Sequence, residues 1–240
     1  PVSRKIMIPD GFSCPPEVNQ GFNALLEKIR EGSDLSPHLS TKLKRADYND
    51  MLLNDWDIHH LHLGEIIESD GFVNRTGLVL FIRFTAICAY LIVIARHGTW
   101  SNRDMIQILH DNWPDSLEDH TIKGIVGIEK NPTSEEIDAL RKANINSVVE
   151  IDGKFYFSIG GGYMSSGDSM IVVHQVDRIM IRIHDFEEHV SHNSQFYKKQ
   201  VRKIYSGKLD FLKLNFTVDT AGMAYVIIQP FNMPFELGNL

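Results

Sequence analysis

Asp55-Trp56-Asp57-Ile58-His59-His60-Leu61-His62-Leu63 sets three histidines and a tryptophan in one apolar run. The run is too short for a helix of its own and suits a strand, in which alternate residues share a face. His60 and His62 then point one way with Ile58, while His59 points the other way with Leu61 and Leu63. An imidazole exchanges its proton near neutral pH, so such a face suits acid–base chemistry or metal binding.

Two more β-rich runs follow, Leu78–Phe84 and Ala89–His97, the latter leading into Gly98-Thr99-Trp100. The acidic loop Glu65–Asp70, set between Gly64 and Gly71, separates the first run from the second. Pairing of the three runs in one sheet brings His60, His62 and His97 toward an arginine, Arg83 or Arg96. Arg96 and His97 point to opposite faces of a regular strand, so both serve one site only if the strand ends or bulges there. The alternative for either arginine is an ion pair with a nearby carboxylate such as Asp55 or Asp57.

Upstream, after a start marked by Pro9, Pro15 and Pro16, the spacing of Val18, Phe22, Leu25, Leu26 and Ile29 predicts a helix over Glu17–Arg30, stopped by Gly32. Ser40–Leu53 reads as a shorter helix or a packed loop. Downstream, Ser101 can cap a helix over Asn102–Asn112 that Trp113-Pro114 ends. Thr133-Ser134-Glu135-Glu136 is a capping box opening a helix to about Ala143. Val148–Ile151 and Lys154–Ser158 around Asp152-Gly153 predict a hairpin. Gly160-Gly161-Gly162 opens a glycine- and serine-rich loop that lacks either nucleotide-binding pattern, leaving a surface loop or an anion contact. Met170–Val173 suggests a strand and Asp177–Tyr205 a helix broken near Ser191–Ser194. Phe211–Val218 and Met223–Gln229 complete a second hairpin. The expected fold class is α+β, with a small antiparallel sheet and packed helices over residues 1–125. A second α+β domain of hairpins and a long helix is expected over 126–240, the boundary falling between Pro114 and Thr133.

With 240 residues, 43% hydrophobic and 23% charged, the composition is that of a globular protein. Two cysteines, Cys14 and Cys88, are too few for a disulfide framework, and Cys88 reads as a small buried hydrophobe, so a cytoplasmic setting is expected. No signal peptide is expected, and Arg83 interrupts the longest apolar stretch, so no membrane association is expected either. The formal net charge of −7 gives nucleic acid no global attraction, and any RNA contact needs a local basic patch.

The order of these elements resembles the RelE-type toxin superfamily, small α/β domains that cleave messenger RNA on the ribosome. The resemblance rests on Leu53-Asn54-Asp55-Trp56 leading into His59-His60-Leu61-His62, on Leu78–Phe84, and on Tyr90–Gly98, and it covers about residues 17–112. It implies two helices before an antiparallel sheet whose strands carry the active side chains, with one histidine in the first strand and another after the third. His60 or His62 and His97 match those places. The chain departs from the family in being acidic, in its longer Glu65–Gly77 loop, and in its whole second half.

What the resemblance implies is a bacterial or phage endoribonuclease, or an RNA-binding protein, that needs no metal and no cofactor. His60 or His62 would be the base, His97 the acid, and Arg83 or Arg96 the phosphate clamp. RNA or the ribosome would be the partner, or an antitoxin-like protein. Two other readings stand beside it: a non-catalytic interaction module on the same scaffold, and a metal hydrolase that uses His60 and His62 with a carboxylate close to both. His184, His189 and His192, lacking the HExxH pattern, read as a solvated helix face.

Overall fold

The three strands named by the alternation form as β2 (Ile58–His62), β3 (Leu78–Phe84) and β4 (Cys88–Arg96), antiparallel in that order. The computed structural model describes residues 2–45, 47–99, 101–207, 213–229 and 231–239. Trp100 and the expected strand residues Phe211 and Leu212 lie outside them. A short strand, β1 (Lys5–Met7), adds to β4 in parallel, so the sheet is mixed, in the order β1-β4-β3-β2. The expectation of a purely antiparallel sheet therefore misses one strand. The reason is length, since three residues carry too little alternation to read.

Each face of the sheet has its own core. On one, Leu61, Leu63, Leu80, Ile82, Leu91 and Ile94 pack against α1 (Asn19–Glu31) through Val18, Phe22, Leu25, Leu26 and Ile29. Leu25 and Ile29 are fully buried, each stabilising by roughly 1.5–3 kcal/mol over an exposed side chain. Gly32 closes α1 in the left-handed conformation at φ 72°, its N–H donating to the Ile29 carbonyl. On the other face, Ile58, Val79, Phe81 and Ile92 meet α3 (Asp104–Asn112) through Met105, Ile106 and Leu109.

That second core extends past residue 125. Ile137 of α4 (Ser134–Lys142) and Val149, Ile151 and Tyr156 of the hairpin β5 (Val149–Ile151) and β6 (Lys154–Tyr156) belong to it. The capping box of α4 forms as expected, with Thr133 and Glu136 exchanging hydrogen bonds. Asp152 and Gly153 take the positive φ values, 47° and 76°, of a two-residue hairpin loop. The chain divides by contacts into Pro1–Ile171 and Val172–Leu240, and the expected boundary between Pro114 and Thr133 falls inside the first unit. Gly160 and Gly162 donate their N–H groups to the carbonyls of Asp55 and Asn54 at 2.8 Å, so those two glycine amides are spent on the protein itself and not on an anion.

The second unit is built on most of α5 (Met170–His192), with α6 (Ser194–Arg202) and the antiparallel strands β7 (Lys213–Val218), β8 (Met223–Gln229) and β9 (Met233–Asn239). Val190, Tyr197, Val201, Val226 and Ile228 form its core. The expected strand at Met170–Val173 is the first turn of α5 instead; its β-branched run looks extended locally, but the helix carries through it. The break near Ser191–Ser194 is present at Asn193, and His184, His189 and His192 are exposed. No helix among the described residues is long and apolar enough to cross a membrane.

Candidate functional site: a three-histidine face

His60 and His62 share the α3 face of β2 with Ile58, as their spacing requires. His97 joins them because of a β-bulge. Ile82 pairs with Leu91 but Phe81 pairs with Val93, leaving Ile92 without a partner of its own. The extra residue reverses the alternation of β4, because a one-residue shift moves every later side chain to the other face. Counting from Tyr90, a regular strand would put Arg96 beside the histidines; the bulge puts His97 there and sends Arg96 to the opposite face. The His97 N–H donates to the Gly77 carbonyl at 3.0 Å, holding the end of β4 against β3.

The three imidazoles meet ring to ring. Centroids lie 6.1 Å apart for His60 and His62, 5.7 Å for His60 and His97, and 5.5 Å for His62 and His97. One ring nitrogen from each lies within 4.8 Å of the other two. His60 and His62 are 6% and 4% exposed, while His97 is open to solvent. Behind the triad, His38 fixes the backbone of His62. Its Nδ1–H donates to the His62 carbonyl at 2.8 Å and its Nε2 accepts from Lys28 Nζ at 2.9 Å, which defines a neutral tautomer. His62 Nδ1 is buried with no hydrogen-bond partner among the described residues.

A cleft of about 240 Å³ opens over His60 and His97, lined also by Lys42, Tyr48, Asp50 and Arg141. Asp50 caps α2 (Met51–Trp56) with one carboxylate oxygen, accepting from the Leu53 N–H at 3.2 Å. Its other oxygen stands 3.6 Å from His60 Nδ1 and accepts from the Tyr48 hydroxyl at 3.4 Å. Arg141, on the cleft wall, donates to Asp55 at 2.8 Å and lies over the Trp56 ring.

The electrostatics keep the triad neutral. Burial pushes His60 below its usual range, against the pull of Asp50. Burial, reinforced by Arg75, takes His62 down to about 3. His97 is lowered by loss of solvent and then by Lys42 and Arg75. Tyr48 moves the other way, pushed up to about 12 by burial and by Asp50. The site thus offers unprotonated imidazole nitrogens at neutral pH, with Lys42 and Arg75 acting on them and Asp50 and Asp138 on the wall of the cleft.

Of the five side chains singled out in the sequence, the fold gathers His60, His62 and His97 and leaves out the two arginines. Arg83 shares their face but pairs with Ile58, at the far end of β2. It is 5% exposed and fully engaged: its Nε donates to Asp57 at 3.1 Å, its Nη1 to the Ser116 carbonyl at 3.0 Å, and its Nη2 sits 3.4 Å from His120 Nε2. Arg96 lines a separate cleft with Glu17, Val18 and Thr76. The cations that do bear on the triad, Lys42 and Arg75, were not picked out from sequence, and neither were Asp50 and Tyr48. Only the cap position of Asp50 ahead of Met51–Trp56 gave a local signal. The chain matches no family model, no curated protein and no solved structure.

Proposed function

We propose that the three-histidine face cleaves RNA, the phosphodiester lying across the cleft between His97 and Lys42. The observation that carries this reading is the convergence of His60, His62 and His97 with Lys42 and Arg75 acting on them, cations gathered at one place on a chain of net charge −7. Neutral imidazoles suit removal of the ribose 2′-OH proton. The 2′-oxygen attacks phosphorus, the bond to the 5′-oxygen breaks, and that oxygen takes up the proton that the imidazole removed from the 2′-OH, relayed across the triad, as a 2′,3′-cyclic phosphate forms. Lys42 and Arg75 carry the charge gathering on the phosphoryl oxygens, in place of Arg83 and Arg96.

A non-catalytic scaffold remains the second reading, and the burial of His60 and His62 favours it. The solvent-open His97 and the two cations favour cleavage. The test is RNA cleavage by wild type and by the Lys42→Ala/Arg75→Ala double variant, both in exposed side chains. The cleavage reading predicts a loss of at least about 100-fold in the double variant, from two charge-assisted phosphate contacts. Equal rates in the two proteins, or no cleavage by either, returns the face to the scaffold reading.

A further inference from the structure

We propose that His60, His62 and His97 form a tridentate site for a borderline divalent cation of the zinc type. The inference goes beyond the cleavage reading and holds whether or not RNA is the substrate; with the ion bound, hydroxide on it would take the place of a free imidazole as the base. Three imidazole nitrogens within 4.8 Å of one another need to close to about 3.3 Å, the separation of nitrogens each about 2.05 Å from a tetrahedral ion. Rotation about the side-chain torsions, above all those of His97 at the solvent-exposed end of β4, covers that difference.

Three further observations point the same way. His62 is 4% exposed, yet its Nδ1 has no hydrogen-bond partner among the described residues, an arrangement that is costly unless something occupies the space it faces. Asp50 stands 3.6 Å from His60 Nδ1, the place of the carboxylate that orients a metal-bound histidine from its far side. His97 opens onto the cleft, which leaves the fourth position to water, the pattern of a catalytic and not a purely structural ion. Lys42 and Arg75 disfavour a bare dication but favour one that carries hydroxide or a substrate oxyanion.

A second cluster, His110, Asp111 and Asp152, serves as the control. Its members already satisfy one another and their neighbours: His110 Nδ1 lies 2.7 Å from the Tyr156 hydroxyl, and Gln107 donates to both carboxylates. The experiment is titration of the EDTA-stripped, redialysed full chain with Co²⁺, read by the visible d–d absorption of a tetrahedral ion and by competition with Zn²⁺. The expected result is one ion per chain, binding at least tenfold weaker in Asp50→Asn, which keeps the helix cap, and absent in the solvent-exposed variant His97→Ala. His110→Ala is expected to bind as wild type does. No binding by wild type, undiminished binding by His97→Ala, or loss in His110→Ala alone overturns the proposal. The readout contains no RNA, so failure of the cleavage reading leaves it standing.

Discussion

Asp55 and Arg141, 86 residues apart in the chain and each 3% exposed at the side chain, form a buried ion pair at 2.8 Å between α2 and α4. Ser158 donates to the other Asp55 oxygen at 2.8 Å, and the guanidinium lies 4.0 Å from the Trp56 ring centre. The pair fixes residues 126–171 onto the sheet and builds one wall of the cleft over the triad. Removing one partner leaves a buried charge without compensation, so Asp55→Ala is expected to cost about 3–5 kcal/mol. Urea unfolding of the full chain measures this, and a cost below about 1 kcal/mol would show that the pair does not hold α4 in place.

Arg83 is expected to behave as a structural residue. Arg83→Met should destabilise by about 3 kcal/mol or more, because it strands Asp57 and the Ser116 carbonyl. Below its lowered melting temperature it should cleave RNA at the wild-type rate. A variant as stable as wild type but inactive would restore the role of phosphate clamp that the sequence alone suggested.

Stability should fall on acidification. Burial lowers His38 and His120 and takes His59 down to about 4, all below the 6.5 of an unfolded chain. For a histidine lowered in this way the unfolded state binds more protons between the two values. Its contribution is therefore full above pH 6.5 and is lost as pH falls from there toward the folded value. Asp57, raised by burial to about 6 in spite of Arg83, works in the opposite sense between about 4 and 6. Three histidines outweigh one carboxylate, so the urea midpoint of EDTA-treated protein should be lower at pH 5 than at pH 7.5. An equal or higher midpoint at pH 5 contradicts this.

Gly160 is a packing constraint. A β-carbon there would sit 2.1 Å from the Leu53 carbonyl oxygen, a backbone atom unable to move without unwinding α2. Gly160→Ala should destabilise by about 1–3 kcal/mol, whereas Gly124→Ala, strained by its positive φ but with open space around it, should cost less. Thermal unfolding of the two variants checks the order.

How much of this was legible in the sequence follows from what each feature depends on. β2, β3 and β4 are visible because alternation and β-branched content are local properties. So are the Thr133 capping box and the Asp152-Gly153 turn. The face shared by His60 and His62 follows from spacing alone. That His97 and not Arg96 joins them depends on the bulge at Ile92, which exists only once β3 and β4 are paired. Lys42, Asp50 and Arg75 come from irregular segments with no period to read, so their approach to the triad is a tertiary fact. The helix at Met170 shows the reverse case, in which a β-branched run is carried by the helix that contains it.

Primer extension of mRNA on translating ribosomes and of naked RNA, with wild type and His97→Ala in parallel, decides whether the three-histidine face cleaves RNA. His97 is exposed, so its loss should leave the fold intact, as circular dichroism would verify. Cuts made by wild type should disappear in His97→Ala. Cuts that persist in the variant, or none from the wild-type protein in either lane, would contradict the cleavage reading.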